Sequence, residues 1–227
     1  MKNTMKIYKE KLIQEKESFG SPLISGTYEG VAKQIAKENL ELPTSPQIAS
    51  LIYEMAKNPK KEFSELIKTL ENRWIWEYTG NLYLPKSNNE INNGIILESL
   101  PKIKKEEIKM NRKSLIKRLQ EEDPLVKFVP FGFKTGNQTW QELEKNEYLV
   151  ARYGEEGAEK IASLVAQLPM KSFLWSVDLY KKIEKETARI SLLKFSNYSF
   201  VINCFTKKGN DIGSTFRIKP EKETEKK

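Results

Sequence analysis

The chain has 227 residues, a formal net charge of +8 and 38% hydrophobic residues, a composition typical of a globular domain. It contains no histidine and a single cysteine, Cys204, which excludes Ser-His-Asp and Cys-His catalytic sites, histidine-containing zinc sites and an internal disulfide. No apolar run approaches the ~20 residues that span a bilayer, and residues 1–19 lack the apolar core of a signal peptide. We therefore expect a cytoplasmic protein, or one exported by a route that the sequence does not show. We expect that it enters no membrane and uses no cofactor.

The N-terminal part of the chain predicts a charged arm followed by helices. Residues 1–26 form the predicted arm. Between residues 27 and 72, apolar residues recur at helical spacing in three successive segments. Ser45 before Pro46 predicts the N-cap of the second helix. We favour a helical layer that packs on the rest of the protein over a helix-turn-helix that reads DNA.

A hairpin is predicted in residues 73–100. Trp74, Trp76 and Tyr78 alternate with other residues, as in a strand with one buried face. A polar, asparagine-rich loop follows, and then a short apolar run at residues 95–97. This change from helical to alternating spacing indicates two strands joined by the loop.

The segment 102–118 is the largest basic cluster, with eight Lys or Arg residues. Part of it is predicted to be a helix that Asn111 caps and that Asp123-Pro124 ends. We interpret the cluster as a solvated surface, because no aromatic residues that could stack on bases are interleaved with it. The alternative is a nucleic-acid-associated protein that binds the phosphate backbone through this cluster. The candidate contacts in that alternative are Lys104, Lys105, Lys109, Arg112, Lys113 and Lys117.

The next segment predicts a strand followed by two helices. Residues 125–133 alternate between apolar and other residues. Thr139 and Glu142 have the spacing of a capping box, which starts a helix. Gly154 fits the left-handed residue that ends this helix before a second one begins.

The C-terminal segment, residues 173–218, is the densest in strand signal. β-branched and aromatic residues fill three or four short runs, and Asn, Gly, Lys and Asp fill the gaps between them. We expect several short strands in succession, ending beside a charged, disordered tail.

This order of elements, with Trp175-Ser176 after the second helix and Phe216-Arg217 in a closing strand, resembles the C-type-lectin-like fold. More narrowly, it is similar to the ligand-binding domains shared by formylglycine-generating enzymes and the variable proteins of diversity-generating retroelements. The resemblance implies an α+β protein in which the opening strand, residues 125–133, pairs near the closing strands at 189–218. The implied organisation is a charged arm (1–26), a helical and hairpin region with the basic helix (27–122), a C-type-lectin-like ligand-binding domain (123–219) and a disordered charged tail (220–227).

Catalysis and calcium binding are not carried over from these families. Formylglycine-generating catalysis needs paired cysteines, and Cys204 stands alone. The sequence also lacks the carboxylate and asparagine cluster of calcium-binding lectins. The carboxylates near the C-terminal strands, such as Asp178 and Glu184, are scattered. We therefore predict that the protein is not an enzyme and holds no metal.

The composition of residues 195–205 favours the retroelement branch of the resemblance. Such systems mutate adenines, typically in Asn codons, so that varied sites drift to Tyr, Ser, Phe, Ile, Val, Cys and Asp. Every residue of this segment is Asn or belongs to that set. A plain buried strand has much the same composition, so both interpretations stay open.

The predicted function is a non-enzymatic protein that presents a recognition surface, which the retroelement interpretation makes a diversified one, to an unknown protein or small-molecule ligand. Alternation in a strand at 195–205 places Tyr198, Phe200, Ile202 and Cys204 toward the core. The other face mixes amide and hydroxyl groups with an aromatic ring, which suits adaptable recognition. The predicted ligand-facing residues are Asn197, Ser199, Asn203, Phe205, Asn210 and Asp211, with Trp175 nearby.

Overall fold

The computed structural model describes residues 19–57, 68, 73–86, 91–167, 171–176, 183–196, 199–206 and 208–219. The first 18 residues of the predicted arm, the predicted tail, and all but residue 68 of the third predicted helix lie outside the described residues.

The architecture is α+β, as predicted. The helices are α1 (Tyr28–Lys37), α2 (Ser45–Lys57), α3 (Arg112–Gln120), α4 (Trp140–Glu144) and α5 (Glu147–Gln167). The N-terminal and central strands are β1 (Phe19–Gly26), β2 (Trp74–Leu84), β3 (Gly94–Ser99), β4 (Lys102–Lys104), β5 (Glu107–Lys109) and β6 (Val126–Pro130). The later strands are β7 (Gly136–Gln138), β8 (Lys171–Trp175), β9 (Thr187–Ser196), β10 (Ser199–Thr206) and β11 (Gly213–Ile218).

Nine of the described strands form one sheet. Its order is β1-β11-β2-β9-β10-β8-β7, with β3 paired to β2 and β6 paired to β3. The pairs β8–β10 and β2–β11 are parallel, and the other pairs are antiparallel. Strands β4 and β5 form a separate hairpin. The β2–β3 pair confirms the hairpin predicted at 73–100.

The opening segment lies in the same sheet as the closing strands, as predicted, but it is not a neighbour of the last one. Strand β6, in the predicted opening segment 125–133, pairs with β3. The closing strand β11 pairs instead with β1, from Phe19 opposite Ile218 to Gly26 opposite Gly213. The sequence of β1 contains Gly, Ser and Pro, which give a weak strand signal, but an edge strand tolerates them. The arm prediction therefore fails for residues 19–26, and strands from both sides of the predicted boundary at 122–123 share one sheet.

One face of the sheet is covered by α2 and α5. The core there includes Ile48 and Ile52 from α2 and Ile161 and Leu164 from α5, all essentially inaccessible to solvent. The predicted break at Gly154 is confirmed, because its φ of 73° and ψ of 167° interrupt the helical geometry of α5.

The two predicted caps around residues 111 and 139 are confirmed. Asn111 Oδ1 accepts a hydrogen bond from the Ser114 N–H at 3.0 Å. Thr139 and Glu142 form the reciprocal capping box at the start of α4. Local side-chain chemistry thus determines where these two helices begin.

The N-cap prediction for Ser45 is wrong by one residue. The carbonyl of Thr44 accepts the hydrogen bond from Ile48 N–H at 3.0 Å, which makes Thr44 the N-cap position. Ser45 is fully buried as the first helical residue, and its hydroxyl lies 2.7 Å from the Thr79 hydroxyl. Its side chain therefore ties α2 to β2 rather than capping the helix.

The opposite face of the sheet is covered by α1, α3 and the β4–β5 hairpin over part of its strands. Tyr28 of α1 stacks on Tyr78, with ring centroids 4.7 Å apart. The β4–β5 hairpin packs Ile108 into the same apolar cluster. Gly80 allows this approach, because a Cβ there would lie only 2.9 Å from Ile108 Cδ1. On the other side of the hairpin, α3 packs Leu115 against Ile96 of β3 and Val126 of β6. The cover thus reaches β2, β3, β6 and part of β9 and leaves side chains of β7, β8 and β10 partly exposed.

None of the helices in the part of the chain that the structure describes is long and apolar enough to cross a membrane.

Candidate recognition face

The register of five neighbouring strands brings distant residues into one row. Lys194 of β9 lies opposite Val201 of β10, Val201 opposite Phe173 of β8, and Phe173 opposite Asn137 of β7. Trp74 of β2 continues the row, since the Lys194 ammonium lies 5.0 Å from the centroid of its ring. Adjacent strands are ~4.8 Å apart, so the row extends over roughly 19 Å.

All five side chains in this row are at least partly exposed. The neighbouring row contains Ser199, which is partly exposed, opposite Lys171, which is exposed. We call these seven residues the open face. They combine two aromatic rings, two ammonium groups, an amide, a hydroxyl and an aliphatic group, a mixture that suits non-covalent recognition.

The reverse side of the same strands is fully buried. Phe200, Ile202 and Cys204 have no solvent exposure, as the predicted alternation requires. Ser172 and Leu174 of β8 are equally inaccessible. Successive residues of each strand point alternately to the open face and to the core beneath α5. Residues of the two surfaces are therefore direct neighbours in sequence.

Only part of the predicted ligand-facing set is exposed in the structure. Ser199 lies on the open face. Asn203 is only 3% exposed, so the prediction that it faces solvent is wrong. It lies opposite Leu192, which belongs to the apolar cluster under the β4–β5 hairpin, and this neighbourhood buries it in spite of its polarity. Asn197 and the side chains of Trp175 and Phe205 lie outside the described residues.

Asn210 and Asp211 are exposed, on the loop between β10 and β11. That loop is held by Gly209, whose N–H donates to the Glu106 carbonyl at 2.8 Å and whose carbonyl accepts from the Tyr28 N–H at 2.9 Å. The loop therefore lies against α1 and the β4–β5 hairpin, and the structure does not place these two residues in the row of the open face.

Sequence reasoning missed Trp74, Phe173, Lys194 and Asn137. Two of them carried a local signal. Phe173 lies between Ser172 and Leu174, so alternation along β8 places it on the opposite side from both. Lys194 interrupts an otherwise apolar run in β9. Membership of one row depends on strand register, which the sequence around any one of these residues does not specify.

The open face rests on a polar layer that anchors its strands. The Tyr83 hydroxyl donates to the Cys204 carbonyl at 2.9 Å and lies 3.0 Å from the Ser176 hydroxyl. Burial raises the pKa of the Cys204 thiol, so the thiol stays protonated and unreactive at neutral pH. These contacts fix the ends of β2, β8 and β10 against one another.

A buried ion pair joins α5 to β2 next to this layer. The Arg152 guanidinium donates to Glu77 Oε2, and both side chains have no solvent exposure. The Tyr153 hydroxyl donates to the same carboxylate oxygen at 3.2 Å, and Arg152 donates to the Tyr148 hydroxyl at 3.1 Å. Tyr148 in turn donates to Asn81 Oδ1 at 2.7 Å. No substrate can reach these groups, so the network is structural.

Burial also controls the ionisation of the tyrosines in and around this network. It raises the pKa of Tyr153 to about 12 and raises that of Tyr148 well above its usual value. Both hydroxyls therefore remain neutral donors across the physiological range of pH.

The basic cluster is distributed over the β4–β5 hairpin and α3. Three of its six candidate contacts are engaged in ion pairs, at 2.8 Å for Lys109 with Glu107, 2.9 Å for Arg112 with Glu186 and 3.6 Å for Lys117 with Glu121. Lys104, Lys105 and Lys113 are exposed. Within the described residues, no group of three or more Asp, Glu or Cys side chains is placed to hold a metal ion.

No protein-family model matches the sequence, and neither does any curated protein. A solved structure of a nanoarchaeal protein, described as accommodating massive sequence variation by the C-type lectin fold, is similar to this chain. The two share 9% sequence identity with a TM-score of 0.63, over 88% of this chain and 98% of that chain. The likeness therefore extends well beyond the predicted segment 123–219. Strands β1, β2 and β3, which precede that segment, belong to the same sheet as its strands. The chain has the C-type lectin fold.

Proposed function

We propose that this protein is a non-enzymatic binding protein that presents the open face as its recognition surface. The observation that carries the proposal is the division of β8, β9 and β10 into two sides. One side is partly exposed and chemically mixed, and the other is sealed under α5. Binding residues can change on the first side while the second side maintains the fold.

Energetics favour such a division. A substitution on a solvent-exposed side chain typically changes stability by less than about 0.5 kcal/mol. Truncating a buried Phe or Ile costs about 2–5 kcal/mol, because a cavity remains. Val201 and Phe200 are neighbours in β10, yet the smaller cost applies to Val201, which is partly exposed, and the larger cost applies to Phe200, which is buried. The open face is thus the part of these strands where a sequence can vary at little cost in stability.

The similar nanoarchaeal protein is described as accommodating massive sequence variation. We extend that property to this chain as a proposal, for the segment 195–205. Its residues are all Asn or residues that adenine mutation produces from Asn codons. In this proposal, Ser199 and Val201 vary, whereas Trp74 and Asn137, from distant parts of the sequence, form a constant border.

The test is to sequence the locus from many cells of the source population. The proposal expects substitutions confined to adenine positions of the codons of segment 195–205, those of Ser199 and Val201 among them, beside a reverse transcriptase and a near-copy of the 3′ end of the gene. Uniform drift across the gene, with no template copy, would remove the diversification. If a ligand is then captured, its affinity should depend weakly on salt, since a steep dependence would favour the nucleic-acid alternative.

A further inference from the structure

The open face carries two positive charges and no negative one. Its charged members are Lys171 and Lys194, and its other five residues are neutral. Segment 195–205, which supplies Ser199 and Val201, contains no charged residue. Both charges of the face therefore come from residues outside that segment, and substitutions at Ser199 and Val201 leave the two ammonium groups in place.

Lys194 is held by an aromatic ring and not by a carboxylate. Its ammonium lies over the Trp74 ring, 5.0 Å from the ring centroid, and it forms no ion pair with any residue that the structure describes. The quadrupole of the ring attracts the ammonium and restrains it without cancelling its charge. This face of the Trp74 ring is thereby occupied, so a nucleic-acid base could stack there only by displacing the ammonium.

Lys171 provides the second cation. Its side chain is exposed and likewise has no ion-pair partner in the described part of the chain. Lys171 lies opposite Ser199, and Lys194 lies opposite Val201, two residues further along β10. The two lysines are thus two strands and two residues apart, which separates their Cα atoms by roughly 12 Å. Ser199 and Val201 lie on the strand between them.

This arrangement of charge distinguishes among possible partners. A second copy of the chain is disfavoured, because a net charge of +8 makes two copies repel one another. A nucleic acid is bound by many cations along its phosphate backbone, whereas the open face offers two. A polypeptide with carboxylate side chains fits better, because an ammonium donates charge-assisted hydrogen bonds to a carboxylate. In an extended polypeptide, side chains four residues apart point to the same side at a spacing of about 13 Å, close to that of the lysines.

We propose that the open face binds an acidic segment of another protein, in which two carboxylates flank an apolar side chain. Lys171 and Lys194 each pair with one carboxylate, while Val201 and the Phe173 ring contact the apolar group. This inference rests on the function proposed above and adds the class of partner to it. The two lysines give the face a constant preference for acidic segments, and the residues of segment 195–205 determine which acidic segment binds most tightly.

The test is a selection of binders from a displayed library of random 12-residue peptides, with the intact protein as the target. Enriched peptides should contain two Asp or Glu residues four positions apart, with an apolar residue midway. Their affinity should fall about tenfold on the double variant Lys171→Gln with Lys194→Gln, which corresponds to ~1.4 kcal/mol for two ion pairs together. The matched control, Lys104→Gln with Lys113→Gln, removes two exposed charges outside the open face and should leave the affinity unchanged.

Several results would overturn the acidic partner. These are a selection that enriches no peptide, enriched peptides without acidic residues, and peptides that bind the double variant as tightly as the wild type. Displacement of the peptides by a single-stranded oligonucleotide, with a steep salt dependence and the same need for both lysines, would assign the open face to nucleic acid instead. If the double variant does not fold by circular dichroism, Lys171→Gln alone replaces it, because that side chain is exposed.

The proposed function is judged separately, with substitutions that remove no charge. Phe173→Ala and Val201→Ser alter the open face and leave both lysines in place. If they weaken enriched peptides that lack acidic residues, the open face remains the recognition surface and only the acidic partner is wrong. If enriched peptides are indifferent to these substitutions and to the double variant, both the acidic partner and the role of the open face are refuted.

Discussion

Removing one partner of the Glu77–Arg152 pair should destabilise the protein severely. Both side chains are inaccessible to solvent. The Arg152→Met substitution leaves the Glu77 carboxylate buried, with the Tyr153 hydroxyl, at 3.2 Å, as its remaining side-chain donor among the described residues. Stripping a buried charge of its partner typically costs about 3–5 kcal/mol, a large part of the 5–15 kcal/mol that is typical of whole domains.

Replacing both partners should be far less harmful. Glu77 Oε1 and Arg152 Nε have no hydrogen-bond partner within the described residues, so the native pair does not recover all the hydration that it loses. We expect the double variant Glu77→Leu with Arg152→Met to regain most of the stability that either single variant loses, because it removes both buried charges together.

Urea denaturation measures these differences directly, as the midpoint and slope of the unfolding curve. The matched control is Lys134→Met, which breaks an exposed pair with Glu142, with side chains 51% and 41% accessible. It should leave the midpoint near that of the wild type. An Arg152→Met variant as stable as the control would refute the reasoning, since it would mean that the pair is hydrated in solution.

Three further outcomes are expected. Burial raises the folded-state pKa of four tyrosines above the ordinary value of 10.0. The stability that their neutral forms contribute is therefore complete below pH 10 and is lost as the pH rises. Their tyrosinate absorbance should appear only together with unfolding. These tyrosines are Tyr28, Tyr78, Tyr148 and Tyr153. Asn111→Ala should cost about 1 kcal/mol in urea denaturation, because α3 loses its N-cap, and Asn111→Ser should restore most of it. Replacing four exposed lysines by Gln should shift the unfolding free energy by less than about 0.5 kcal/mol, and a larger loss would mean that they are structural. Those lysines are Lys104, Lys105, Lys113 and Lys117.

Local patterns in the sequence predicted the elements whose causes are local. The capping box at Thr139 and Glu142, the break at Gly154 and the N-cap at Asn111 each depend on side chains within a few residues of one another. The burial of Phe200, Ile202 and Cys204 followed from strand alternation alone. The fold class and its resemblance to the C-type lectin fold rested on the order of such elements.

Strand neighbours could not be predicted in this way. The pairing of β1 with β11 joins the two ends of the described chain, and nothing near Phe19 indicates Ile218 as its partner. The contact between Trp74 and Lys194 likewise depends on β2 and β9 lying side by side. The open face is assembled from five such strands, so its members emerge only once the register is known.

Asn203 shows why polarity alone misplaces a residue. Alternation along β10 places Asn203 on the same side as Ser199 and Val201, as predicted. Its burial is decided by the neighbouring strand, where Leu192 lies opposite it and under the cover of the β4–β5 hairpin. A register position near the centre of a sheet can bury an amide that the sequence marks as exposed.

The central claim is that the open-face positions of β8, β9 and β10 are free to vary, whereas the side of these strands beneath α5 is fixed by the fold. Two libraries on a protein display system test it, each randomising five positions of the same strands, with protease resistance as the measure of folding. The first library varies Lys171, Phe173, Lys194, Ser199 and Val201 on the open face, and the second varies Ser172, Leu174, Leu193, Phe200 and Ile202 on the buried side. The account predicts that most members of the first library and few of the second remain resistant. Equal survival of the two libraries, or collapse of the first, would contradict it.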